Sequence, residues 1–197
     1  MELISVKDRE IAAYIIDQGY IRAAASFSTL VNQRVQIENL SINTYTNADK
    51  VLQEISNEVK STIILTEIIG DLAGESYLIF SEPEREQICA YCMKAFASGN
   101  GNKLEDELIL KEVDNILSAA VITEFSNQLQ IQVFGDVPKV ISKESLFAEH
   151  PTAKSKNYFL LSNARFIFED HLELSPKFLW RLDNHFIDMV KNMGGNQ

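Results

Sequence analysis

Glu112 and Asn115, three residues apart, are the pair whose residue types and spacing best suit chemistry in this sequence. They interrupt a helical pattern in which the apolar residues share one face: Ile109, Val113, Ile116, Leu117 and Ala120. Both fall outside that apolar arc, and residues three apart lie about one turn from each other on the same side of a helix. A carboxylate placed there can bind a cation, and a carboxamide beside it can hold a water molecule.

A purely structural interpretation of this pair is also open. A Glu and an Asn on the outer face of an amphipathic helix are most often simply solvated. Pro138, which follows Asn115 with 22 residues between them, fits the end of the preceding strand equally well. Asn is only a modest helix former, so its position inside a helix slightly favours a functional role.

The two cysteines, Cys89 and Cys92, form a CxxC pattern. A zinc site needs two more ligands, and the histidines are far from the cysteines and from one another: His150, His171 and His185. A thioredoxin-type pair usually opens a helix, whereas these residues fall in the middle of a helical pattern that follows Pro83. We therefore interpret them as a buried pair of small side chains, with redox chemistry as the less favoured alternative.

The overall composition is that of a folded, acidic protein. Of 197 residues, 46% are hydrophobic and 23% are charged, which is typical of a globular chain. The formal charge of −10, without a Lys/Arg cluster, argues against nucleic acid as a partner. The chain opens with acidic residues, unlike a signal peptide, and no apolar run approaches the roughly 20 residues that span a bilayer. We expect a cytoplasmic protein that does not insert into membranes.

Apolar periodicity and turn chemistry predict the same order of elements in each half of the chain. In the first half we expect helices at residues 8–32, 47–56 and about 81–97, a strand at 35–45, and a hairpin of strands at 62–69 and 75–80. In the second half we expect a helix from 104 to about 125, a strand at 129–134 and a short helix around 142–149. Strands at 158–168 and 171–174 should follow. Ser175 and Pro176 should then open a final helix that runs to Val190. The glycine-rich stretch 98–102 separates the halves.

This repetition predicts an α+β fold. We expect a single domain over residues 1–197, with internal repeats of about 8–97 and 104–192. Each pseudo-symmetric repeat contains a helix, a strand, a short helix, a hairpin and a helix. Because hairpins join neighbouring strands, the paired long helices should pack on a mostly antiparallel sheet. Tyr14 and Ile21 are expected to face outward from the first helix.

Three features of the sequence resemble the CheC/CheX/FliY family of chemotaxis response-regulator phosphatases. The first is the E-x2-N motif of Glu112 and Asn115, with Pro138 at the family's spacing. The second is the segment 68–82, IIGDLAGESYLIFSE, which is similar to the family's central hairpin. The third is the segment 22–30, RAAASFSTL, which is similar to the end of its first helix. The likeness extends over nearly the whole chain, and the length of the chain suits the two-repeat, CheC-like form.

The resemblance implies a phosphatase that hydrolyses the aspartyl phosphate of a CheY-like receiver domain. Asn115 would position the attacking water, Glu112 would dock to the receiver's lysine, and Pro138 would support the motif. The chain itself would hold no cofactor and no metal, because the Mg²⁺ would belong to the partner receiver domain. CheD is a further partner that the resemblance implies. The alternative is a non-enzymatic CheC-like binding module, which would be a partner of CheD or a signalling adaptor.

The sequence departs from the family pattern in two places. The family has Ser or Asp four residues before the glutamate, and here that position is Leu108. The halves are offset by 98 residues, and the first-half positions that correspond to the motif are Tyr14, Asp17 and Leu40. None of these three matches the motif, so we expect a working site in the second half alone.

Overall fold

The computed structural model of the protein describes residues 5–56, 60–97, 105–146 and 157–195. The helices in these ranges are α1 (Val6–Val31), α2 (Ala48–Ser56), α3 (Glu82–Ala97), α4 (Asp106–Leu129) and α5 (Asn184–Gly195). The strands are β1 (Val35–Tyr45), β2 (Ser61–Gly70), β3 (Gly74–Ser81), β4 (Val133–Gly135), β5 (Lys139–Ile141), β6 (Asn157–Phe168), β7 (Glu173–Leu174) and β8 (Lys177–Asp183). A 3-10 turn, Lys143–Ser145, follows β5.

The strands form one antiparallel sheet in the order β1, β6, β8, β3, β2. The short strands β4 and β5 both pair with the outer side of β2, and β7 pairs with β6. One face of the sheet packs against α1, α3, α4 and α5, and the other face is partly covered by α2. The predicted α+β class, with long helices on a mostly antiparallel sheet, is confirmed.

The long helix α1 has a well-defined beginning and end. Ser5 Oγ accepts a hydrogen bond from the Asp8 amide at 3.1 Å, and the Asp8 carboxylate accepts one from the Ser5 amide, which forms a capping box. The helix is capped after Val31 by Asn32, whose φ of 50° is left-handed. Gly19 lets α1 approach α4 closely, because a Cβ there would lie 2.5 Å from Val121 Cγ2.

In the first elements of the two halves, equivalent residues are 98 positions apart in sequence. Asn32 after α1 and Gln130 after α4 are both left-handed, and Val35 and Val133 open the following strands. The offset grows to 103 at β3 and β8, because eight residues connect β6 to β8 whereas three connect β2 to β3. The pseudo-symmetry predicted from the order of elements is confirmed, with a longer second hairpin.

Two predicted elements are wrong. The helix expected from Ser175 is the strand β8, and α5 begins only at Asn184. Because β8 lies between β3 and β6 and is covered on both faces, its apolar residues do not alternate. The strand expected at 129–134 is also misplaced, since α4 continues through Leu129 and β4 is confined to Val133–Gly135.

The segment between β4 and β6 also differs from expectation. It contains the strand β5, Lys139–Ile141, where the sequence predicts no strand. The short helix predicted around 142–149 is the 3-10 turn Lys143–Ser145, and residues 147–149 lie outside the described ranges.

Candidate functional site

Helix α4 presents one continuous exposed stripe to the surroundings. Its residues recur every three or four positions: Leu108, Glu112, Asn115, Ala119 and Thr123. Glu112 and Asn115, called the motif pair below, are thus on the outer face as the sequence predicts. Neither side chain has a hydrogen-bond or ion-pair partner among the described residues. Both functional groups are therefore available to a second molecule.

Pro138 lies in a bulge at the edge of the sheet. Gly135 faces Ile68 on β2, the Asp136 amide donates to the Glu67 carbonyl at 2.8 Å, and Lys139 faces Leu65. Two residues, Val137 and Pro138, therefore stand opposite Thr66 alone, and they are called the edge bulge below. Proline suits this position because it has no amide hydrogen to donate to a ladder. Pro138 is buried, whereas Val137 is 70% exposed.

Asp114, inside the motif, is a buried carboxyl group that the sequence analysis missed. Thr66 Oγ1 donates a hydrogen bond to Asp114 Oδ2 at 2.6 Å, and Asp114 Oδ1 has no partner among the described residues. Burial raises the pKa of Asp114 to about 7, against the lowering effect of the bond from Thr66. The available sequence signal was spacing, since Asp114 shares a helical face with Leu110, Leu117 and Val121.

These contacts place α4 against the edge of the sheet that carries the edge bulge. Asp114 bonds to Thr66, and Thr66 is the residue that the edge bulge faces. Gly135 is also close, because a Cβ there would lie 3.0 Å from Ile122 Cδ1 on α4 and 3.1 Å from Thr66 Cγ2. The buried hydrogen bond thus joins α4, which carries the motif pair, to β2, the strand that Pro138 faces. Their roles in chemistry stay a prediction.

The first half contains an equivalent region with different side chains. Tyr14, at the position of Glu112, is exposed, as is Ile21, so their predicted orientation is confirmed. Asp17, at the position of Asn115, accepts a hydrogen bond from Asn39 Nδ2 at 2.8 Å. Asn39 Oδ1 in turn accepts one from Ser162 Oγ at 3.0 Å. The extra residue of β1 is Leu40, which corresponds to Pro138.

The cysteines are buried thiols, which agrees with the structural interpretation of the CxxC pattern. Cys89 and Cys92 are not joined by a disulfide. Burial raises the pKa of the Cys89 thiol to about 11 and that of the Cys92 thiol to about 12. Both thiols are therefore protonated at neutral pH, which makes them poor nucleophiles and poor metal ligands.

Metal-binding clusters and membrane-spanning helices are both absent from the part of the chain that the structure describes. There, no three His, Cys, Asp or Glu side chains are grouped in a way that could hold a metal ion. None of the described helices combines the length and the apolar character that crossing a membrane requires.

Comparison with solved structures identifies the class of fold. Thermotoga maritima FliY matches with a TM-score of 0.72 over 98% of both chains, at 13% identity. A chain of the FliG–FliM complex from H. pylori matches with a TM-score of 0.61 at 12% identity, over 95% of this chain and 98% of that one. CheX from Desulfovibrio desulfuricans matches with a TM-score of 0.52 at 15% identity, over 84% of this chain and 97% of that one.

This protein therefore has a CheC/CheX/FliY-type fold, and the resemblance noted in the sequence is confirmed at the level of the fold. No protein-family model matches the sequence, and no curated protein matches it either.

Proposed function

We propose that this protein dephosphorylates the aspartyl phosphate of a CheY-like receiver domain, in chemotaxis or a related two-component pathway of the cytoplasm. The observation that carries the proposal is the motif pair, a carboxylate and a carboxamide one turn apart on α4, exposed and without partners among the described residues. Support comes from the buried Pro138, which lies in the edge bulge beside the same helix. The fold shared with CheX and FliY fits this role.

The chemistry needs little from this chain beyond positioning. An acyl phosphate is already reactive, so water can attack phosphorus directly, and a new P–O bond forms as the P–O bond to the receiver's aspartate breaks. The aspartate leaves as a carboxylate, and the proton of the water passes to the phosphate product. The Asn115 carboxamide holds the attacking water in line with the P–O bond that breaks, so the water is already oriented for the reaction. No covalent intermediate forms on this chain.

Glu112 has a different task in this proposal. Its carboxylate forms an ion pair with the lysine of the receiver's phosphate site, which fixes the orientation of the complex. The Mg²⁺ that offsets charge on the phosphoryl oxygens is supplied by the receiver. Electrostatic pairing of this kind fixes orientation and raises the association rate more than it raises affinity.

The test is phosphate release from a panel of phosphorylated receiver domains with and without the purified protein. Asn115→Ala should lower the acceleration by about 100-fold, because the water loses its orientation. Asn127→Ala is the matched control, since Asn127 is an exposed asparagine on the same helix, outside the motif. An acceleration that survives both Asn115→Ala and Glu112→Ala would show that the motif pair is not the catalytic site.

A second candidate function is non-enzymatic: a docking module that binds CheD or that is itself a signalling adaptor. Leu108 favours it, because this side chain is 52% exposed on the stripe of α4 where the family has Ser or Asp. Calorimetric titration with CheD and with phosphorylated receivers separates the two functions. Binding without any acceleration of phosphate release supports docking, whereas acceleration that depends on Asn115 rejects a purely non-enzymatic role.

A further inference from the structure

We propose that the hydrogen bond between Thr66 and Asp114 is a positioning contact, which fixes the motif pair relative to the edge bulge. This inference rests on the proposed phosphatase function and adds a residue pair that does not touch the substrate. Asp114 is fully buried, so its carboxyl cannot reach a receiver domain. Its action is exerted through the placement of α4.

The position of Asp114 in the helix suits this role. It lies between Glu112 and Asn115 in sequence, and its side chain points into the core while theirs point outward. One residue along an α-helix corresponds to a rise of about 1.5 Å and a rotation of about 100°. A shift of α4 by a single residue would therefore break the bond to Thr66 and turn both members of the motif pair away.

Thr66, at the other end of the hydrogen bond, faces the edge bulge across the ladder. The 2.6 Å bond thus joins α4, the helix that carries the motif pair, to β2, the strand that faces the edge bulge. Apolar packing around the bond also favours this register, but it sets no preferred angle between individual atoms. A hydrogen bond has a preferred length and angle, so it restricts the placement of α4 further.

The first half of the chain provides an internal comparison. At the offset of 98 residues, the positions of Asp114 and Thr66 correspond to Ile16 and Ala164, which are both buried and apolar. Ala164 faces the bulge of β1, as Thr66 faces the edge bulge. The fold therefore accepts an apolar pair at this place. The polar pair, which leaves Asp114 Oδ1 without a partner among the described residues, occurs in the half that contains the motif pair.

The experiment transfers the first-half pair into the second half with the double variant Thr66→Ala, Asp114→Ile. Its melting temperature should stay within about 5 °C of the wild type, since apolar pairs often replace buried polar pairs without loss. Its kcat for phosphate release should nevertheless fall by roughly 5- to 50-fold, with KM for the receiver within about twofold. Thr66→Ser retains the hydroxyl and should keep most of the wild-type kcat.

Ser118→Ala is the matched control. Ser118 is buried on the same helix, but its hydroxyl bonds to the carbonyl of Asp114 within α4 and joins no second element. This variant should keep the wild-type kcat. The inference is overturned if the double variant retains wild-type kcat, or if Ser118→Ala lowers kcat as strongly as the double variant does.

Amide hydrogen exchange separates failure of this inference from failure of the proposed function. In the double variant, exchange of the amides at 112–118 should become about tenfold faster, because α4 is held less tightly against β2, and Ser118→Ala should leave it unchanged. If the wild-type protein accelerates phosphate release from none of the receivers, the proposed function is wrong. The exchange measurement alone then tests whether the Thr66–Asp114 bond fixes the position of α4. Unchanged exchange in the double variant overturns it.

Discussion

Helices α1 and α4 occupy equivalent places in the two halves of the molecule, and each precedes a strand segment that bulges against its neighbour. Beside the first bulge, Asp17 is tied to Asn39 by a hydrogen bond. Beside the second, Asn115 has no partner among the described residues. The same backbone arrangement thus carries a polar side chain in both halves. In the first half it bonds within the protein, and in the second half it is available to a second molecule.

The largest difference between the halves should appear in catalysis. Asn115→Ala is expected to lower phosphate release by about 100-fold, while Asp17→Ala leaves the rate unchanged. Asp17→Ala should instead lower the free energy of unfolding by roughly 0.5–1.5 kcal/mol, because it deprives Asn39 of a hydrogen bond. Kinetics and urea unfolding of both variants check this. A rate loss from Asp17→Ala would place a working site in both halves.

The second difference concerns pH, since Asp114 on α4 corresponds to Ile16 on α1. The pKa of buried Asp114 is raised from 3.8 to about 7, so folding favours its protonated form. Its contribution to stability is therefore complete below about pH 4 and is lost as the pH rises through about 7. The loss should be on the order of 2–4 kcal/mol.

Urea unfolding at pH 5 and pH 8 measures this effect. Asp114→Asn cannot titrate and should show a smaller difference between the two pH values than the wild type. Thr66→Val removes the contact that lowers the pKa, so it should retain the full difference. Equal differences in the wild type and Asp114→Asn would mean that Asp114 does not titrate in this range.

The contact between the two helices provides a third test. Gly19→Ala would place a Cβ 2.5 Å from Val121 Cγ2 and 2.7 Å from Val121 Cα, so α1 and α4 must move apart. We expect a loss of about 1–3 kcal/mol in stability, measured by thermal unfolding. Gly194→Ala, where a Cβ would meet Ile11 Cδ1 at 3.3 Å, is the milder control. Comparable losses in both variants would argue against a tight contact at Gly19.

The smallest effect is expected at Leu108. Leu108→Ser should weaken receiver binding by about 1 kcal/mol, roughly fivefold in Kd, by removing apolar contact area from the stripe. The value of kcat should stay unchanged because the motif pair is intact. Titration and kinetics with the same receiver check this. A higher kcat in the variant would indicate that serine at this position takes part in the reaction.

The exposed face of the site was predictable from the sequence, because helical spacing alone separates the motif pair from its apolar neighbours. The pseudo-repeat was also predictable, since the order of elements recurs along the chain. The edge bulge was not, because its geometry depends on the pairing of β2 with β4 and β5, strands more than 60 residues away in sequence.

Burial explains why the sequence did not predict the role of Asp114 or the strand β8. Asp114 lies on an apolar helical face, and a sequence pattern does not show that Thr66 is close enough to donate a hydrogen bond to it. Strand β8 is buried on both faces, so its run of apolar residues resembles a core helix as closely as a strand. In both cases the deciding contacts come from distant parts of the chain.

The buried cysteines have a practical consequence for studies in solution. Because Cys89 and Cys92 are inaccessible and protonated at neutral pH, thiol reagents should react with them slowly. A cysteine introduced at Thr123, which is exposed on α4 beyond the motif pair, would then be the preferred point of attachment for a fluorophore. The native sequence thus permits site-selective labelling on the exposed stripe of α4 without removal of its own thiols.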